Sequence, residues 1–202
     1  MWINNATYSA PMLLITWLLP RRLKRDRSGA TAVEFALISP ALILMFIGII
    51  EFGLVLTAQA ILDNATFAAS RVGKTGYSTT TSTQDQLVLA AVKKAASDYL
   101  DPAKITLTSK SYADYGDIGQ PEPFTDTNKN GVRDPGESYT DVNGNGTYDK
   151  DQGRSGVGAT AQIVVYTATY DWPIITPLAK SLIGSSGIVK INSKIVVKNE
   201  PY

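Results

Sequence analysis

Glu34 stands at the head of a long apolar stretch, and no other placement restricts this chain as strongly. From Phe35 to Leu62 the only charged residue is Glu51. As helix the stretch runs about 42 Å, against roughly 30 Å for a bilayer core, so it can span a membrane with a turn or two to spare. An ionised carboxylate in hydrocarbon costs on the order of 3 kcal/mol on insertion scales. A plain anchor gains nothing from Glu34, so the residue implies a partner for its charge.

Charge is segregated around this segment. Arg21, Arg22, Lys24, Arg25 and Arg27 stand against Asp26 just ahead of Gly29, whereas the remainder carries 14 basic and 17 acidic side chains. By the positive-inside bias the basic side stays cytoplasmic, which places everything after about Leu62 outside. A basic tail on a mildly acidic body offers no nucleic-acid surface. The earlier apolar run, Pro11 to Leu19, is too short to span, and the basic block follows it, so a conventional secretory signal fits poorly. Met12 is an alternative start to Met1. The chain has no Cys and no His. That removes thiol and imidazole chemistry, disulfides, and the usual zinc, copper and haem ligand sets. No carboxylate or Ser/Lys spacing suggests catalysis, so neither an enzyme nor a small-molecule substrate is expected.

Gly29-Ala30-Thr31-Ala32-Val33-Glu34-Phe35 resembles a type IV prepilin processing site. The wider run from Arg27 to Pro40, then Gly48-Ile49-Ile50-Glu51-Phe52-Gly53, Ala68–Gly73 and the closing Val197–Tyr202, resembles TadE-like pseudopilins of the tight-adherence (Tad/Flp) type IV pilus system. The resemblance covers about residues 21–75 and the last few. It implies that a prepilin peptidase cuts after Gly29 and that Ala30 carries the new α-amino group. Glu34 is then the fifth residue, able to neutralise a neighbouring subunit's N-terminal amine as the helices stack. It further implies other pilus subunits and Tad inner-membrane platform proteins as partners, and a single-pass inner-membrane location with an exported C-terminal domain. Pro40 loosens one turn of such a helix. Glu51 has two readings that the sequence leaves open: it reaches the outer interface as a long charged side chain, or it packs against a partner helix.

Beyond the membrane the helix is expected to continue to about Gly73, where Gly73 and Gly76 stop it. Tyr77 to Thr83 reads as a Ser/Thr-rich link. Ser82 and Asp85 then open a second helix to about Leu100, with Leu89, Val92, Ala96 and Tyr99 on one face. Lys104–Tyr112 and Ala159–Trp172 read as strands, Thr176-Pro177 as the start of a short helix to about Ile183, and Val189–Lys198 as a final alternating strand. The expected fold is α+β and pilin-like: a long N-terminal transmembrane helix packed on a small antiparallel sheet, with an inserted pair of calcium-type loops. The domains expected are a cleaved basic leader at 1–29, the transmembrane and amphipathic helix at 30–75, and the exported domain at 76–202 with its insertion at 121–155.

The insertion carries a metal pattern. Asp126, Asn128, Asn130, Gly131 and Glu137 occupy every specified place of the calcium loop D-x-[DN]-x-[DN]-G-x5-E, with Val132 offering its carbonyl, Asp134 a further candidate ligand, and Glu137 closing the site. Fifteen residues on, Asp141, Asn143, Asn145, Gly146, Thr147 and Asp149 repeat the first half, but Gln152 stands where Glu is expected. The second site is expected to be weaker unless Asp149 or Asp151 compensates. Prolines at 121, 123 and 135 argue against flanking EF-hand helices. The cation, Ca2+, is expected to be structural. A competing reading keeps these loops and discards the processing site, giving an uncleaved membrane-anchored calcium-dependent adhesion or binding module.

Overall fold

The computed structural model describes residues 29–74, 83–183 and 187–200. The leader before Gly29, the link from Tyr77 to Ser82, Gly76 and the closing Pro201-Tyr202 lie outside the described residues. The chain divides into two units, before and after the Ile47–Gly48 bond.

Helix α1 runs Ala30–Lys74, with Pro40 inside it. In the first unit its large apolar side chains, among them Phe35, Leu37, Ile43 and Phe46, are exposed. In the second unit burial starts at Glu51 and continues through Ala58, Leu62, Ala65, Thr66, Ala69, Ser70 and Gly73. Those positions recur at helical spacing on one face, and most are small. The helix ends at Lys74, one residue past the expected end at about Gly73. Gly73 lies within the last turn, and a Cβ there would fall 2.8 Å from the Tyr166 ring, so it also serves close approach. The end of α1 is satisfied by other means: the Gln84 side chain donates to the Gly73 carbonyl, and the Glu200 N–H donates to the Lys74 carbonyl at 3.1 Å;.

Helix α2 spans Gln84–Ala96 and is capped by Thr83 in a capping box with Gln86, one residue later than the Ser82–Asp85 pair suggested. That register turns Gln84, Val88, Val92 and Ala96 inward. The helix stops four residues short of Leu100. Leu100 therefore enters the core, while Tyr99, expected on the buried face, is 76% exposed.

Four strands form one antiparallel sheet: β1 Ile105–Tyr112, β2 Arg154–Ser155, β3 Ile163–Pro173 and β4 Ile188–Lys198, in the order β2-β1-β3-β4. Strand β3 is central and pairs Tyr166 with Ser109 on one side and with Ile195 on the other. Alternation along β3 sends Val164, Tyr166, Ala168 and Tyr170 into a core shared with Leu62, Val88, Val92 and Ile191;. The strand begins at Ile163 rather than Ala159. The buried Asn199 amide donates to the carbonyls of Val157 and Ala159 at 2.9 and 3.0 Å and holds that segment as loop. Strand β2 was not foreseen, since two residues carry no periodicity. Helix α3, Pro177–Ile183, forms where Thr176-Pro177 places it. The fold is α+β, a long apolar helix with a small four-stranded antiparallel sheet.

Candidate functional site

Three groups of residues are positioned for function. At the N-terminus, Gly29 lies in a turn and its carbonyl accepts the first helical bond from the Val33 N–H at 3.1 Å, so Ala30 is the first helical residue. Glu34 and Phe35 are exposed on the opening turns of α1.

Glu51 is the first buried residue of α1. Its Oε1 accepts the backbone N–H groups of Ile175 (3.1 Å) and Thr176 (2.6 Å), across the start of α3. Its Oε2 is enclosed with no hydrogen-bond partner. The carboxylate thus clamps the β3–α3 connection of its own chain. An acceptor at that place also suits the positive end of α3.

The third group fills the connection between β1 and β2. In the first loop, Asp126 accepts the N–H of Asn130 at 3.2 Å and of Gly131 at 2.8 Å. Asn128 and Asn130 direct their amide groups to Asp134, and the Asn130 carbonyl oxygen accepts the Val132 N–H at 2.7 Å. Glu137 closes the turn, accepting from Thr127 at 2.7 Å and Asp134 at 2.9 Å. The second loop repeats this pattern. Asp141 accepts from Gly144, Asn145 and Gly146 at 2.7–3.1 Å, Asn143 and Asn145 reach Asp149, and Thr147 donates to Asn145. Backbone donors hold the Asp141 carboxyl below the usual range, that of Gly146 first, and Arg154 adds to them. Gly131 (φ 77°) and Gly146 (φ 79°) hold equivalent left-handed turns, as do Lys129 (φ 62°) and Gly144 (φ 78°).

The loops differ in what closes them. Gln152 is turned away: its N–H donates to the Gln120 carbonyl and its side chain to the Asp117 carbonyl. Glu122, fully buried, takes the place instead. Its Oε1 accepts from Val142 at 2.8 Å and its Oε2 from Asp149 at 3.0 Å, the counterparts of Thr127 and Asp134. The backbone agrees, because Glu122 N–H donates to the Asp149 carbonyl just as Glu137 N–H donates to that of Asp134. A signal for this exists in the sequence. Glu122 precedes Asp126 by the spacing at which Glu137 precedes Asp141, so the repeat begins at the glutamate, and a pattern that starts at Asp126 omits it.

The two copies are joined by an antiparallel bridge between the equivalent residues Phe124 and Tyr139. Tyr148 packs edge-on against both rings, and the Arg133 guanidinium lies 4.7 Å from the Tyr139 ring centre and 5.0 Å from that of Tyr148;. Asp151 does not compensate for Gln152. It ties the segment to the sheet, accepting from Lys110 at 2.7 Å and Tyr112 at 2.9 Å. Burial opposes ionisation of Asp151, but the hydrogen bonds from Lys110, Tyr112 and Gly153 outweigh it and hold its carboxyl below the usual range. Burial, then the Asp151 hydrogen bond, pushes the Tyr112 hydroxyl up to about 12.

Every side-chain donor offered by these loops is oxygen from Asp, Asn, Glu or Thr, which suits calcium and not softer metals. Among the described residues no three carboxylates are gathered into one cage. Asn amides and backbone N–H groups hold them apart, and a bound cation would replace the amide contacts to Asp134 and Asp149.

Residues 29–71 match the TadE-like protein family. The N-terminal segment is similar to that family over these residues. No curated protein and no solved structure matches the chain. The TadE-like match opens on Gly29, takes in Glu34 and Glu51, and ends within one turn of the end of α1. It connects the chain to pilus-associated structural proteins of the Tad system. Among the described residues the same helix is the one long and apolar enough to cross a membrane, consistent with a single-pass anchor. The paired loops lie outside the TadE-like segment.

Proposed function

We propose that this protein is a minor pseudopilin of a Tad/Flp type IV pilus: a non-enzymatic assembly subunit, cut by prepilin peptidase after Gly29 and carrying a calcium-stabilised exported domain. One observation carries the reading. The segment matching the TadE-like family opens at Gly29, its helix starts at Ala30 with Glu34 five residues past the glycine, stays uncovered through Ile50, and is packed from Glu51 onward. The uncovered stretch has the roughly 20 residues that a bilayer core requires. Its partners are then prepilin peptidase, neighbouring pilus subunits and the Tad inner-membrane platform. The basic leader keeps the N-terminus cytoplasmic, and residues past the helix are exported.

In the exported domain the first calcium site draws on Asp126, Asn128, Asn130, the Val132 carbonyl, Asp134 and Glu137. The second draws on Asp141, Asn143, Asn145, Thr147, Asp149 and, in place of Gln152, Glu122. When bound, the ion offsets the mutual repulsion of the loop carboxylates.

Intact-mass analysis of the protein from cells with a prepilin peptidase is expected to give a chain beginning at Ala30. A chain that retains its leader there would leave the uncleaved, membrane-anchored calcium module as the better description.

A further inference from the structure

The end of the sheet where β3 finishes and β4 begins is held beside Glu51, and it is apolar outside as well as in. Ile174 is buried and its N–H donates to the Gly187 carbonyl at 2.9 Å, while the next two N–H groups are held by Glu51. This fixed backbone leaves Ile175 (61%), Leu178 (43%) and Ile188 (47%) exposed. Ile188 is paired with Pro173 at the tip of the sheet, next to Trp172. Lys180 and Lys190 are exposed around the patch.

We propose that this tip is a second membrane contact, seated in the headgroup layer of the leaflet from which α1 emerges. The proposal rests on the reading of α1 as a membrane span. Three observations select lipid as the occupant. The patch is continuous with the span, since Glu51 is both the first packed residue of α1 and the residue that holds the tip. The uncovered helix ahead of Glu51 matches the thickness of a bilayer core, which places the clamp at its far boundary. The exposed composition, aliphatic Ile175, Leu178 and Ile188 with Lys180 and Lys190 beside them and Lys190 4.0 Å from Asp171, suits an apolar surface bordered by headgroups, while Trp172 is packed against the core;. The sheet leads away from the membrane thereafter: the Gln59 side chain donates to the Asn192 carbonyl at 2.9 Å, and Lys74 meets Glu200 at the opposite end. Seated in this way, the tip fixes the tilt and rotation of the exported domain above the membrane.

The absence of cysteine makes site-directed spin labelling direct. The full chain would be placed in vesicles of phosphatidylethanolamine and phosphatidylglycerol, with single labels at Ile43→Cys, Leu178→Cys and Tyr99→Cys. Collision with oxygen relative to a water-soluble nickel chelate reads the depth of each label. The expected order is Ile43 deepest and Leu178 intermediate, with an oxygen-to-nickel ratio several-fold above that of Tyr99. A Leu178 label as aqueous as Tyr99, with Ile43 deep in lipid, overturns the tip contact and leaves the span intact. An aqueous Ile43 label overturns both. Spin–spin broadening at Leu178 that grows with protein-to-lipid ratio would assign the patch to a second copy and also overturn the proposal.

Discussion

Glu122 sits between two prolines with its carboxylate turned onto Val142 and Asp149, and no bulk water reaches it. Replacing Glu122 with Gln keeps the shape but exchanges one acceptor for a donor, leaving at least one of the three backbone N–H groups, of Val142, Asn143 and Asp149, facing another donor. The expected loss is about 1–3 kcal/mol in urea denaturation. Gln152→Ala, which removes one 3.5 Å contact, is expected to stay within roughly 0.5 kcal/mol of the parent;. The reverse ranking would return the second loop's closure to Gln152. The Asp151–Tyr112 contact makes a separate pH prediction. The folded pKa of Tyr112 lies above its ordinary 10, so its contribution is fully present below pH 10 and is lost as pH rises towards about 12;. Asp151 is shifted the other way, so its contribution is present above its ordinary 3.8 and is lost as pH falls below that value;. Stability measured against pH should fall at both ends. In Tyr112→Phe the alkaline fall should be shallower; an unchanged alkaline limb would remove Tyr112 from it.

At the scale of elements, Glu51 joins helix α1 to the β3–α3 connection through two hydrogen bonds. Glu51→Ala leaves the N–H groups of Ile175 and Thr176 without that acceptor, and amide exchange at both is expected to rise by about tenfold or more, for roughly 1.5–3 kcal/mol of charged hydrogen bonding lost. Glu51→Gln retains an acceptor oxygen and should fall between. Equal protection in all three proteins would show that the clamp is not what orders the connection. This contact could not be read from sequence, because partners 124 and 125 residues apart leave no local pattern. What could be read depended on period and composition. The apolar run of α1, the alternation of Ile191, Ile195 and Val197 in β4, and Thr176-Pro177 ahead of α3 each determine their element locally. The failures came where a distant group decided. The close approach of Gly73 to Tyr166 leaves no local mark, and the start of β3 depends on Asn199. The second helix moved by one residue because Gln86, not Asp85, completes the cap, which frees Gln84 to reach Gly73.

For the molecule as a whole, the polar β1–β2 connection raises a problem of stability that the sheet does not solve. Its own packing is limited to Phe124, Tyr139 and Tyr148 around Arg133, and Asp151 ties it to β1 by contacts that are half open to solvent. Against this, Asp126, Asp134, Glu137, Asp141 and Asp149 are gathered into two short turns whose Gly and Lys positions are already in left-handed conformations. On the proposed reading, a turn ordered in that way would lose little entropy when an ion arrives, and an affinity matching an extracellular concentration would suffice. A cation bound only by the folded state stabilises it by mass action: at a hundred times the dissociation constant the gain is about 2.7 kcal/mol for one site. Full-length protein in detergent micelles should therefore melt several degrees higher with millimolar calcium than with EDTA. Asp126→Ala should remove part of the increment, Asp141→Ala another part, and the double variant nearly all of it. Magnesium at the same concentration should do much less, because it demands tighter octahedral geometry than mixed Asn, Asp and carbonyl donors supply. Identical melting in calcium and EDTA would reduce the paired loops to Asx turns, and the β1–β2 connection would then have to be ordered by Glu122, Asp151 and the aromatic cluster alone.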